Sequence, residues 1–283
     1  REKPVSIPLP TQPARGAKKY GKAARLRGGS VACDSETDMN KGNEMAGPEK
    51  EILDGIATRS VYALGANAAS TRYCFRVLRR FLGEGDVLEL GPAEGLMTGL
   101  LQSTGRRITC VEGAEAFCLS LSARFPEVEV VQALFEEYRP DRQFGTIVMG
   151  HVLEHVEDPV AILKLAKGWL APGGKLFAAV PNARSLHRQA GVIMGVLEAE
   201  NALNDMDRRH GHRRVFDPES FRQAFLGAGL SIDFFGGYFL KPVSSGQIEA
   251  NWSDAMLDAF MVLGERYPDI AGEIYVLASR PAS

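Results

Sequence analysis

From Asp86 onward, short apolar runs alternate with stretches whose apolar residues recur every three or four positions. The runs "DVLELG" (86–91), "RITCVEG" (107–113), "VEVVQA" (128–133), "GTIVMG" (145–150) and "GKLFAAVPN" (174–182) have the length and β-branched content of buried strands. Between them, "GLMTGLLQS", "EAFCLSLSARF" and "PVAILKLAKGWL" carry helical spacing. Strand and helix in alternation imply parallel crossovers, hence an α/β fold with a doubly wound sheet. Two further helices are expected upstream, in "EILDGIATRSVYAL" and "STRYCFRVLRRFL". After Asn182 the pattern predicts an apolar helix over residues 185–200, a polar loop, and a helix in "FDPESFRQAFLGAGL". There Asp217 serves as N-cap, Pro218 as first helical residue and Gly229 as terminator. "SIDFFGGYFL" and "EIYVLASR" read as closing strands, and no internal repeat is evident.

Composition changes this picture only at the N-terminus. Apolar residues at 45% and charged residues at 24% are those of a soluble globular chain, and no apolar stretch approaches the ~18–20 residues of a membrane span. The four cysteines (Cys33, Cys74, Cys110 and Cys118) lack C-x-x-C spacing. With no signal-peptide pattern in view, they read as reduced thiols of a cytoplasmic protein. Net charge is −2, yet residues 1–50 hold ten Lys/Arg against six Asp/Glu. Arg15, Lys18, Lys19, Lys22, Arg25 and Arg27 occur without one acidic residue between them. A polar Gly/Pro-containing arm of this kind is expected to be flexible and solvated. Contact with nucleic acid or another acidic partner is the less economical reading. The expected organisation is an arm at 1–50, helices at 51–84 covering a cofactor site, and a catalytic domain at 85–283 with a lid insertion at about 185–216.

"VLELGPAEGLMTGLL" carries the first chemistry. Gly91 and Gly95 allow a tight turn and close backbone approach, and the helix that follows offers unsatisfied N–H groups. Glu112 ends the next strand, where a carboxylate can accept both ribose hydroxyls of a nucleoside cofactor. Alone, this turn also suits a nicotinamide site or a purely structural bend, although it lacks the third glycine of G-x-G-x-x-G. Six segments in order, "ELGPAEG", "VEGAE", "VVQALFEEY", "FGTIVMGHVLEHVEDP", "LAPGGKLFAAVPN" and "GHRRVFDPESFRQAFLGAGL", resemble class I S-adenosylmethionine-dependent methyltransferases over residues 72–240. The likeness is to the branch of ubiquinone-biosynthesis O-methyltransferases and natural-product methyltransferases. It implies a seven-stranded, mainly parallel sheet with S-adenosylmethionine across the ends of the first two strands. Gly91, Ala93 and Gly95 would border its methionine part, Glu112 the ribose, and Leu134 and Phe135 the adenine, with Gly150 closing the wall. Arg72 and Tyr73 are candidates to meet the cofactor carboxylate, a plain surface arginine being the other reading. Two departures stand out: Ala93 replaces a usual glycine, and Ala133 lies where an acidic residue often accompanies adenine.

Then comes "MGHVLEHVEDP". H-x-x-E-H also marks zinc proteases, but Pro159 forbids the sustained helix they need. The resemblance puts His151 near the transferring methyl and Glu154 and His155 just beyond. If the segment is helical, the three share a face. One reading makes the "EH" pair architecture only. A second makes His155, His212 or His151 a general base, since histidine titrates near neutrality. A third follows relatives that bind a divalent metal through such a segment plus a later histidine, and would use Glu154, His155, His210 and His212. The expected acceptor is a small biosynthetic molecule methylated at oxygen. The alternatives are a peptide or other macromolecule docked by the basic arm, and a cofactor-binding scaffold without catalysis. No membrane partner is expected, and a homodimer is compatible with the chain.

Overall fold

The computed structural model describes residue 55 and residues 65–281, so the arm at 1–50 and the helix expected over 51–64 lie outside the described residues, Gly55 apart. A helix α1 (Gly65–Leu78) leads into the alternation β1 (Val87–Leu90), α2 (Leu96–Gln102), β2 (Ile108–Glu112), α3 (Glu115–Arg124), β3 (Glu129–Gln132) and β4 (Phe144–Gly150). It continues through α4 (Pro159–Trp169), β5 (Leu170–Pro181), α5 (Leu186–Ile193), α6 (Asp205–Arg209), α7 (Pro218–Gly227) and β6 (Ser231–Tyr238). The described chain closes with α8 (Ser245–Asn251), α9 (Asp254–Arg266) and β7 (Glu273–Ser279).

The strands form one seven-stranded sheet in the order β3-β2-β1-β4-β5-β7-β6. β1 to β5 run parallel, and β7 inserts antiparallel to both of its neighbours. The central strands are almost continuously buried because helices cover both faces, so β1, β2 and β4 read as mostly apolar runs rather than alternating ones. One face holds a core around Leu88, Ile147, Leu176 and Phe221; the other packs α1 and α9 over Val87, Val148, Phe177 and Tyr275. The strand order reverses at β1 and β4, so the crevice for a ligand opens at their carboxyl ends.

Local signals set the helix ends. Asp158 accepts from the Val160 and Ala161 amides ahead of Pro159. Asp217 caps α7 with a reciprocal Ser220 box, Pro218 follows, and Gly229 ends the segment at φ 71°. The helix expected over 185–200 is shorter. Gly195 takes φ 72° just after it, and the Val196 and Leu197 amides fold back onto the Gly191 carbonyl at 2.9 and 3.1 Å. Apolar periodicity continued across that break, but the backbone did not. β5 starts at Leu170 rather than 174, directly after α4, with an irregular register between Phe144 and Thr146 on β4.

Candidate active site

The turn between β1 and α2 is built from left-handed residues: Gly91 at φ 64°, Ala93 at 48° and Gly95 at 74°. A Cβ at Gly95 would sit 2.5 Å from Leu121 and 2.9 Å from Phe125, so glycine lets α2 approach α3. Ala93 does adopt the backbone a glycine would prefer, which stores roughly 1–2 kcal/mol of strain at this loop. The loop is tied to the end of β2. The Ala93 N–H donates to one Glu112 carboxylate oxygen at 3.2 Å and the Ala114 N–H to the other at 2.9 Å. Burial raises the Glu112 pKa, and the amides of Ala114, Ala93 and Gly113 oppose that rise.

These elements border a cavity of about 470 Å³. Gly91 and Ala93 line its base, Glu112 one side, Leu134 and Phe135 the next, and Gly150, His151 and His155 the wall from β4. Gly95 is not on the wall; it supports the turn from behind. Arg72 and Tyr73 do not line it either. Arg72 is exposed, and the buried Tyr73 donates its hydroxyl to Glu265, while α1 turns Thr71 and Cys74 toward the cavity. Glu89 is a wall residue that the sequence reading passed over. It accepts from Thr98 at 2.7 Å and from the Cys110 thiol at 3.4 Å, and burial pushes its pKa up to about 7. A carboxylate inside the apolar run "VLEL" was the available signal.

Beyond Gly150 the chain does not enter a helix. His151 takes φ 59°, its N–H donates to the Ala179 carbonyl at 2.9 Å, and a single turn brings the His155 N–H to the Val152 carbonyl at 3.0 Å. The shared helical face is therefore replaced by a folded turn, held from outside by two arginines. The Arg213 backbone N–H donates to the Glu154 carbonyl (2.8 Å), its Nε to the His155 carbonyl (2.9 Å), and Arg214 to the Leu153 (3.1 Å) and Glu157 (2.8 Å) carbonyls.

Within this turn the histidines separate. His151 lies between two carboxylates, with Nδ1 3.3 Å from Glu154 and Nε2 3.6 Å from Glu273, which arrives at the start of β7. Burial disfavours its charge, but Glu273 and Glu154 outweigh burial and raise its pKa. Burial would raise the Glu154 pKa, yet its histidine neighbours hold it below the usual carboxylate range. Burial lowers His155 to about 4, leaving it neutral. His155 and His212 meet edge to face at 4.8 Å between ring centres. Glu154, His155 and His212 offer ligand atoms within 4.8 Å of one another; among the described residues the fully buried Glu154 has its 3.3 Å ion contact with His151 and no hydrogen bond to either oxygen. That donor set, one carboxylate and two imidazoles, fits a divalent cation of borderline character. His210 stands apart from the trio, its ring centre 5.9 Å from that of His212. Among the described residues, no helix is long and apolar enough to cross a membrane.

The ubiquinone biosynthesis O-methyltransferase of Idiomarina loihiensis is 29% identical over 167 residues, covering 56% of this chain and 66% of that protein. A probable S-adenosylmethionine-dependent methyltransferase of Mycobacterium tuberculosis is 33% identical over 98 residues, covering 34% of this chain and 36% of that one. The chain thus spans just under two thirds of the Idiomarina relative's length and about a third of the other's. Among solved structures, a possible histamine N-methyltransferase from Thermotoga maritima shares the fold at a TM-score of 0.56 and 17% identity, covering 81% of this chain and 100% of that one. A methyltransferase from Mesorhizobium loti does so at 0.55 and 14%, covering 76% and 100%. A family model described as a methyltransferase domain matches residues 66–233, and the chain belongs to that family.

Proposed function

We propose that this protein transfers the methyl group of S-adenosylmethionine to an oxygen of a small biosynthetic acceptor. The observation that carries the reading is the 470 Å³ cavity with Glu112 on one side and His151 and His155 on the other. In this reading Glu112 takes the ribose hydroxyls, Leu134 and Phe135 flank adenine, and Gly91 and Ala93 border the methionine portion. The cofactor supplies a sulfonium-activated methyl, so the protein's main task is to hold the acceptor oxygen in line with it. A hydroxyl acceptor must also lose a proton as the new C–O bond forms. His155 is neutral, lines the cavity and can take that proton, whereas His151 already carries one between its two carboxylates.

The grouping of Glu154, His155 and His212 ligand atoms within 4.8 Å favours a second version of the acceptor side. Glu154, His155 and His212 would then hold a divalent cation, which would lower the pKa of an acceptor hydroxyl. The relatives named for ubiquinone O-methylation support oxygen as the methylated atom, since they match over more than half of this chain. The test is release of S-adenosylhomocysteine with candidate hydroxylated acceptors, followed by mass spectrometry of the methylated product. Methylation only of peptides would transfer the reading to a macromolecular acceptor, and cofactor binding without turnover on any acceptor would leave a scaffold. Metal analysis of the same sample separates the two acceptor-side versions: chelation abolishes turnover in one and leaves it intact in the other.

A further inference from the structure

The cavity does not account for a buried ion network inside the segment expected to form a lid. Arg188 of α5 is 5% exposed at its side chain. Its Nε donates to the Glu200 carbonyl at 2.6 Å, its Nη2 to the Ala202 carbonyl, and its Nη1 to Asp207 Oδ2 at 3.1 Å. Asp207 Oδ2 also accepts the Asn204 amide at 3.0 Å. Its other oxygen, Oδ1, lies 3.5 Å from His212 Nδ1, while the His212 backbone N–H donates to the Asp207 carbonyl at 2.9 Å.

A buried Arg–Asp pair gains little net stability, because desolvation offsets most of the attraction, so loop closure alone is a poor reason for it. Its geometric result is specific. Arg188 and Asn204 engage one carboxylate oxygen and leave the other directed at one nitrogen of His212. We propose that Asp207, locked by Arg188, is a positioning residue that draws the His212 proton onto Nδ1 and leaves Nε2 as the ring nitrogen with a free lone pair. A carboxylate behind a histidine selects the tautomer and fixes the ring plane. In the metal version that lone pair would be a ligand; in the base version His212, edge to face with His155 at 4.8 Å, steadies the ring that takes the proton. Closure of residues 186–204 and alignment of His212 then become one event, since the same guanidinium holds both. This inference rests on the reading of Glu154, His155 and His212 as the acceptor-side group.

The test uses full-length protein carrying ¹⁵N-labelled histidine, with His212→Ala for assignment. At neutral pH the wild-type His212 resonances should report the Nδ1–H tautomer, and Asp207→Asn should shift them toward Nε2–H. Turnover, or Co²⁺ affinity if the site binds metal, should fall about 10–100-fold in Asp207→Asn and recover partly in Asp207→Glu, with S-adenosylmethionine affinity held within about twofold. An Nε2–H tautomer in the wild type overturns the proposal even if no variant folds. So does an unchanged tautomer in Asp207→Asn, or a turnover loss matched by an equal loss of cofactor affinity, which would make Asp207 ordinary loop packing. A wild-type chain that binds no S-adenosylmethionine defeats the methyltransferase reading, and the tautomer still decides the positioning claim.

Discussion

On the β2–β3 side of the crevice the wall is made chiefly by backbone. Left-handed turn residues, two amides satisfying Glu112, and the apolar pair Leu134 and Phe135 all come from the consecutive stretch 91–135, the ends of β1, β2 and β3. On the other side His151 and His155 line the cavity, and the groups behind them are side chains gathered from far apart. Glu154 and His155 meet His212 from the segment between α6 and α7, and His151 meets Glu273 from β7. A backbone site suits a cofactor whose shape never varies. A side-chain site can be re-aimed by changing a few residues, and it concentrates the titratable groups where a proton or a cation has to be handled.

The sharpest way to break this division is to remove acceptor-side groups. His212→Ala or Glu154→Gln should lower kcat about 10²–10⁴-fold and leave cofactor affinity unchanged, while His210→Ala, outside the trio, should stay near wild type. Equal losses in cofactor affinity, measured by calorimetry, would show that the two sides are not separate. The complementary change is Glu112→Ala. It should weaken S-adenosylmethionine binding by ~1.5–3 kcal/mol, with kcat retained at saturating cofactor. Gly95→Ala meets Leu121 and Phe125 and adds a side chain at φ 74°. Denaturant unfolding should show a loss of about 1–3 kcal/mol, and cofactor affinity should fall with it.

The smallest effects concern pH, and the two sides should bend the stability profile in opposite directions. Burial, with Lys241 and Arg188 adding to it and Asp207 opposing, lowers His187 to about 3. The folded state keeps it neutral while the unfolded chain protonates near 6.5, so this contribution is constant above pH 6.5 and is lost as pH falls toward 3. His187→Gln should recover about 1 kcal/mol at pH 4.5 in denaturant titrations. Glu89 works the other way. Its folded pKa of about 7 exceeds the unfolded value, so it costs nothing below pH 4.5 and destabilises increasingly up to pH 7. Glu89→Gln should therefore raise the melting temperature at pH 8 and not at pH 4.5, a gain consistent with a residue kept for binding rather than for stability.

Much of this was legible along the chain because it is local. Strand runs, the Gly91–Gly95 turn, Glu112 at a strand end, and the Asp217–Pro218 start of α7 each depend on a few neighbouring residues, whose backbone preferences act before any packing. α5 marks the limit of that logic, since apolar spacing continues past Gly195 while the left-handed backbone turns the chain back. Arg72 and Tyr73 mark another: which face of α1 meets the cavity depends on how α1 packs over the sheet, and that face carried Thr71 and Cys74. The histidines of "HVLEH" could be counted in the sequence but not given roles. His151 is held charged because β7 pairs antiparallel with β5 in a register that sets Glu273 opposite Pro181, bringing a carboxylate from 122 positions away. Likewise, Arg188 holds one Asp207 oxygen from 19 positions earlier while the other faces His212. Short-range preferences determined the turn at Gly91–Gly95 and the place of Glu112; long-range sheet register decided which carboxylates surround His151.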